Sequence, residues 1–213
     1  MKDHNKESEH YSNKNLSIHL KNAFTKNNGI LTFTQAKSLN ISETELLEAY
    51  KNKNILQEEP GIFMENESDY DDMYILQLLH PTGVYSHETA VMLHNLSRFS
   101  PFRDYMIVPE NYDTEQLNQN NVVTFQTTES YFPTENATVK NFLGNNVTIT
   151  NLERTVIDML SSTHSMGDVV KEVIESYLDE EQKNIERLTK YASLFNLENT
   201  VQDQILNRLF PKN

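Results

Sequence analysis

The sequence predicts an α+β protein in two parts. An N-terminal winged helix-turn-helix precedes a mixed α/β domain with a small sheet and a terminal helical cluster. Three observations carry this reading. Apolar residues recur at helical spacing through residue 50 and a hairpin follows; residues 103–150 change to short runs of β-branched and aromatic residues; helical spacing returns at Asn151. A chain of 213 residues holds one large domain or two small ones and buries a core without staples.

Residues 1–15 are polar and charged, with too little apolar surface to offset the entropy of ordering, and read as a disordered arm or a frayed helix start. Over 16–64, Leu16, Leu20, Ala23 and Phe24 mark a first helix that Asn28-Gly29 ends. Ile30-Leu31-Thr32 is extended. Thr34 is placed to cap a short helix with Gln35, Ala36 and Leu39, and Asn40-Ile41-Ser42 forms a tight turn. Ser42 opens a third helix, with Glu45 three residues on completing a capping-box pattern. Ile55-Leu56-Gln57 and Gly61-Ile62-Phe63 flank Glu58-Glu59-Pro60 as a hairpin. Helix, short helix, turn, helix, hairpin is the order of a winged helix-turn-helix. It equally fits a three-helix packing unit with a surface hairpin.

Residues 65–71 are acidic and polar, a linker to a domain over 72–213. A helix over 72–79 runs into His80-Pro81-Thr82-Gly83, Val84-Tyr85 is extended, and Ser86 caps a helix from His87 to Leu96. Tyr105–Val108, Val122–Phe125, Ser130–Phe132, Thr138–Phe142 and Val147–Ile149 read as strands, with Gly144-Asn145 as a type II′ turn. Four helical stripes follow, the last through Val201, Ile205 and Leu209.

Charge and composition exclude several functions. The formal net charge is -13, and residues 41–80 set two Lys against ten acids, so the field of the molecule opposes a phosphate backbone and favours basic partners. With no cysteine there is no disulfide, thiolate metal site or cysteine nucleophile. No apolar run is long enough to cross a membrane and no secretory signal opens the chain, which predicts a cytoplasmic protein.

The residues offer no catalytic set. His80, His87 and His94 stand seven apart, but Pro81 and Gly83 interrupt any common helix; His87-Glu88-Thr89-Ala90-Val91 lacks the second His of a zincin motif. No metal and no cofactor are expected. No phosphate-binding glycine loop is present, and Ser86-His87 are adjacent, which is not how a nucleophile meets its base. The expectation is a non-enzymatic protein. If it reads DNA, the candidate contacts are Thr34, Gln35, Ser42, Thr44, Lys51 and Lys53, with the lysines of residues 1–26 as an auxiliary arm. Glu43, Glu48, Glu58 and Glu59 crowd the same surface.

Four segments in order resemble one family. They are Gly29–Ala36 with Asn40-Ile41-Ser42 and Gly61-Ile62-Phe63; Gly83–Leu96, carrying Ser-His-Glu-Thr-Ala and then Leu-His-x-Leu; Ser100–Pro109; and Val147–Leu160, carrying Leu-Glu-Arg-Thr. Together, over about residues 28–165, they resemble the AbiEi antitoxins of type IV toxin–antitoxin, or abortive infection, systems. The resemblance implies an N-terminal winged helix that binds the promoter of its own operon. It also implies a C-terminal domain needed to neutralise a nucleotidyltransferase-like toxin. Beside it, the motif residues have plain structural roles: Ser86 and Asn151 as caps, Glu88 and Glu153 at positive helix ends, Arg154 pairing with an acid, and His87 and His94 as capping-region and surface histidines. The acidic third helix departs from the basic one usual in the family. It opens a second reading, an acidic inhibitor carried by a phage or mobile element that targets a basic host protein.

Overall fold

A computed structural model describes residues 16–211; the arm over 1–15, with Lys2, Lys6 and Lys14, lies outside the described residues. The chain is α+β and separates into two units. The first runs through Ile75 and includes Phe142–Asn145; the second holds Leu76–Asn141 and the chain from Asn146 onward.

In the first unit, α1 (Ile18–Lys26) starts at Ser17, whose Oγ accepts from the N–H of Leu20 at 3.1 Å. Then come β1 (Ile30–Thr32), α2 (Phe33–Ser38), α3 (Glu43–Lys51), β2 (Leu56–Glu59) and β3 (Ile62–Met64). The strands form an antiparallel sheet in the order β1-β3-β2. Leu20, Phe24, Leu31, Leu46, Ile55 and Phe63 make its core. Gly29, at φ +79, is required: a Cβ there would lie 2.3 Å from Cγ of Asp69. Asp69 sits in a 3-10 turn (Glu67–Asp69) within the acidic stretch and accepts from the N–H of Asn66 at 2.9 Å.

Two caps differ from expectation. Thr32, not Thr34, caps α2, because the strand passes directly into the helix and its last residue becomes the cap. Thr32 Oγ1 accepts from the Gln35 N–H at 3.1 Å while Gln35 Oε1 receives the Thr32 N–H at 2.8 Å. Ser42 does cap α3, accepting from the Glu45 N–H at 3.1 Å, but the box stays open. The Glu45 carboxylate instead accepts from Ser17 Oγ at 3.1 Å.

α4 (Asp72–Leu79) spans the division between the units. The second unit continues with β4 (Val84–Tyr85), α5 (His87–Leu93), β5 (Asp104–Pro109), α6 (Glu115–Gln119), β6 (Val122–Thr127), β7 (Asn136–Lys140) and β8 (Asn146–Thr150). The sheet order is β6-β5-β4-β8-β7, with β4 parallel to β8, β5 parallel to β6, and the other neighbours antiparallel. Next are α7 (Leu152–Ser161), α8 (Gly167–Asp179) and α9 (Ile185–Leu194). A last helical run comprises α10 (Glu198–Val201), a π turn (Gln202–Leu206) and α11 (Asn207–Leu209). Val91, Val156, Ile157, Val173, Tyr177 and Leu188 anchor the core these helices share.

Further corrections concern loops and ends. Ser130–Phe132 is not a strand: Glu129–Tyr131 is a 3-10 turn, and the Tyr131 carbonyl accepts from Arg154 Nη1 at 2.7 Å instead of joining a ladder. Gly144-Asn145 is not a two-residue turn. Lys140 pairs with Asn146, so 141–145 form a five-residue loop with Gly144 at φ +84, and Phe142 is 76% exposed. α5 stops at Leu93, where His94 caps it and Asn95 turns to φ +58, three residues short of Leu96. The helix α6 fills a stretch that the sequence reading gave no element.

Candidate functional site

The α3 surface of the first unit is the candidate recognition face. Ser42, Glu43, Thr44, Glu48 and Lys51 are exposed along it, and Lys53 follows it at φ +58, also exposed. Thr34 is exposed on α2. Gln35 is committed elsewhere: its Oε1 closes the α2 cap, and its Nε2 donates to Tyr74 Oη at 2.8 Å. On the hairpin, Glu58 is exposed and Glu59 half-buried. Lys21 and Lys26 are exposed on α1.

In the second unit the two strongest motif segments meet. β4 and β8 are neighbours and parallel, with Tyr85 opposite Ile149. Each strand turns directly into a helix, β4 into α5 at Ser86 and β8 into α7 at Asn151, so both junctions emerge at the same sheet end. Ser86, His87, Glu88, Thr89, Thr150, Asn151, Glu153, Arg154, Thr155 and Asp158 are all buried there. Such a density of buried polar groups is stable only when each has partners.

Most do. Ser86 does not cap α5: its Oγ lies 2.9 Å from His87 Nδ1 instead. The adjacent pair thus does meet, contrary to the sequence reading, with His87 at φ +47. His87, the first residue of α5 after the N-cap position, is buried. Its ring stacks on Phe125 at 3.8 Å between centroids, and burial, with the Arg154 charge behind it, pushes its pKa down to about 3. Ser86 has no exposed surface, so a substrate carbonyl has no approach to its Oγ. Thr89 Oγ1 accepts from the Tyr105 N–H at 2.9 Å, and Glu88 accepts from Ser165 Oγ at 2.6 Å.

On α7, Asn151 caps as expected, its Oδ1 accepting from the Arg154 N–H at 2.9 Å, while its Nδ2 donates to Tyr191 Oη and to the Glu135 carbonyl. Glu153 does more than favour a helix end. Fully buried, it accepts from Arg187 Nε and from the Asn184 N–H, each at 2.7 Å, which ties α9 to α7. Arg154 Nε pairs with Asp158 Oδ1 at 2.7 Å, and its guanidinium lies 4.6 Å from the Phe195 ring centre. Burial outweighs that pairing and pushes the Asp158 pKa up to about 6; Asp158 Oδ2 has no hydrogen-bond partner. His94 is half-buried, and its Nε2 donates to the Thr150 carbonyl at 2.8 Å.

Beside this layer lies a polar cleft of about 480 Å³, lined by His94, Glu135, Ala137, Asn151, Glu180 and Arg187 among others. Among the described residues no group of three or more His, Asp or Glu side chains is placed to hold a metal, and no helix is long and apolar enough to cross a membrane.

Sequence reading missed Arg187, Asp158 and Phe125. The Arg154–Asp158 spacing of four on one helix was a usable signal; nothing local links Glu153 to Arg187 or His87 to Phe125.

The second unit thus holds a buried polar layer bonded mostly within itself, and the first a helix-and-hairpin surface rich in glutamate. No protein-family model matches the chain, and no curated protein matches it.

Proposed function

We propose that this chain is a non-enzymatic antitoxin and regulator of the AbiEi type, acting in the cytoplasm, that neutralises a nucleotidyltransferase-like toxin. One observation carries the proposal. Gly83–Leu96 and Val147–Leu160, far apart in sequence, form one buried layer in which Ser86, His87, Glu153 and Arg154 bond to protein groups. Residues that serve packing in this way suit a binding domain, and buried Ser86 and His87 suit no turnover of substrate. In this reading residues 16–64 are a winged helix-turn-helix, supported by the order α1-β1-α2-α3-β2-β3 and the three-stranded sheet. Promoter binding through Thr34, Ser42, Thr44, Lys51 and Lys53 would be its regulatory arm.

Co-expression tests the proposal. Cells carrying the nucleotidyltransferase-like toxin encoded beside this gene are expected to grow when the chain is present. Continued arrest with every such toxin would sink it.

The glutamates of the α3 and hairpin surface favour one further reading. Glu43, Glu48 and Glu58 are exposed against Lys51 and Lys53, a surface that suits a basic protein better than a duplex. An orphan gene inside a phage, with a basic host protein captured by that face, would favour an inhibitor over an antitoxin.

A further inference from the structure

We propose that the cleft beside β7 receives an extended segment of a partner protein, which adds to β7 as a further strand and places an arginine side chain among Glu135, Glu180 and His94.

The first ground is topological. β7 is the outermost strand of the five, paired only with β8, so one row of its backbone N–H and C=O groups faces away from the sheet. Three of its five residues, Asn136, Thr138 and Lys140, are exposed. An incoming strand satisfies that row with main-chain hydrogen bonds, the usual source of affinity when a peptide joins a sheet edge.

Specificity comes from the cleft, whose wall includes Asn136 and Ala137 of β7 itself. Its wall carries several acceptors. Glu135, 48% exposed, carries a carboxylate that the 69% exposed Lys190 Nζ meets at 3.1 Å and Arg187 Nη1 at 3.8 Å, so an incoming guanidinium displaces the Lys190 ammonium; half-buried Glu180 supplies a second carboxylate, whose Oε1 accepts from the Gln182 N–H at 3.2 Å. His94 gives its Nε2 proton to the Thr150 carbonyl, which leaves Nδ1 as a bare lone pair. Burial holds the His94 pKa down, against the hydrogen bond to the Thr150 carbonyl and the pull of Glu153 and Glu180, which favours the neutral ring. The cation in the wall, Arg187, is bound through Nε to fully buried Glu153 at 2.7 Å, and its Nη1 lies 3.8 Å from Glu135. Two carboxylates and an imidazole lining one cleft offer acceptors to the fan of N–H donors on a guanidinium. The occupant is therefore a basic extended peptide, complementary to a chain of net charge -13. The inference does not depend on the antitoxin reading, since any partner with such a segment would serve.

The test uses the full chain and a capped pentapeptide of β-branched residues with one central arginine. Its binding is followed by the amide resonances of Ala137 and Thr138 and the ring resonances of His94. Saturable shifts at both places are expected. Replacing arginine by citrulline, which keeps the shape and removes the charge, is expected to weaken binding about tenfold. N-methylation of alternate peptide nitrogens, which blocks strand pairing, is expected to weaken it similarly. Glu180→Gln and, separately, Glu135→Gln should each reduce affinity several-fold while the remaining spectrum stays in place. Absence of shifts at millimolar peptide overturns the proposal. So does equal binding of the citrulline or the N-methylated peptide, or binding that neither Gln variant weakens.

Discussion

Nε of Arg187 lies 2.7 Å from Oε2 of Glu153, a carboxylate with no exposed surface, although Arg187 itself is 29% exposed. The pair joins the first turn of α7 to the first turn of α9. Its energetics are one-sided. Removing the guanidinium leaves a buried anion with only the Asn184 N–H and a long contact from Tyr177 Oη. Removing the carboxylate leaves an arginine that can reach water. Arg187→Ala is therefore expected to cost about 3 kcal/mol in urea unfolding, and Glu153→Gln less. Adding Glu153→Gln to Arg187→Ala should recover part of the loss. Equal costs for the two single variants would place the energy in packing rather than charge.

His87 makes acid weaken the protein. Its folded pKa, about 3, lies below the usual 6.5 of an unfolded histidine, so between those values the unfolded state binds a proton that the native state refuses. The stability it provides is whole above about pH 6.5 and declines as the pH falls toward 3. His87→Asn, which tolerates φ +47, should lower stability at pH 8 by loss of the Phe125 stack yet flatten the decline between pH 6.5 and 4. Denaturant midpoints across that range decide it; a parallel decline in the variant would assign the acid sensitivity to other groups.

Asp158 works in the opposite direction. Its folded pKa of about 6 lies above the ordinary 3.8, so the native state holds the proton more tightly, and stability is lost as the pH rises through that interval. In Asp158→Asn this loss disappears while an acceptor for Arg154 remains. The difference in unfolding free energy between variant and wild type should therefore shift in the variant's favour from pH 4 to pH 6.5. A pH-independent difference would show that Asp158 is charged throughout.

Gly29→Ala should destabilise the first unit by about 2 kcal/mol or more. It puts a Cβ on Asp69 and also strains a left-handed backbone. Hydrogen exchange is the suitable measurement because it reports each region separately. Faster exchange is expected in Leu31 and Phe63, with Ile149 and Val156 unchanged. Unchanged protection of Leu31 would mean that the Asp69 turn yields at little cost.

If the α3 face meets promoter DNA, few cations are available to release counterions. The expected salt dependence is shallow, each neutralised phosphate contributing about 0.9 to the slope. Non-specific binding at physiological salt should be undetectable. Nanomolar binding to the upstream region with a slope of about six or more would place the DNA on another surface.

Much of the fold was legible in the sequence because local chemistry decides it. Among the described residues, apolar spacing located every α-helix but α6, a five-residue piece with a single buried apolar side chain, Leu117, too short for a period to repeat. Alternation and β-branching located the strands except at Ser130–Phe132, where aromatic content imitated a strand and the Tyr131 carbonyl had already been taken by Arg154. Caps at Ser42 and Asn151 could be read because side chain and backbone amide are three residues apart. Thr34 for Thr32 is the error to expect where a strand enters a helix with no residue between.

The candidate site could not be read that way. The sequence by itself determined that Ser86–Ala90 and Asn151–Thr155 each open a helix after a strand, and that the α3 and hairpin surface is acidic. Only the tertiary structure decided that the two openings stand together, because this depends on β8 inserting beside β4 in the order β6-β5-β4-β8-β7. Strand order is set by which faces the packed helices can cover, a sum over distant contacts that leaves no mark at one position. Arg187 reaches Glu153, and Phe125 reaches His87, through that same arrangement. Residue types and spacings fix hydrogen bonds a few residues long; burial of a charge is fixed by the whole fold, and here it joined motif residues read as separate caps and helix-end groups into one internal framework.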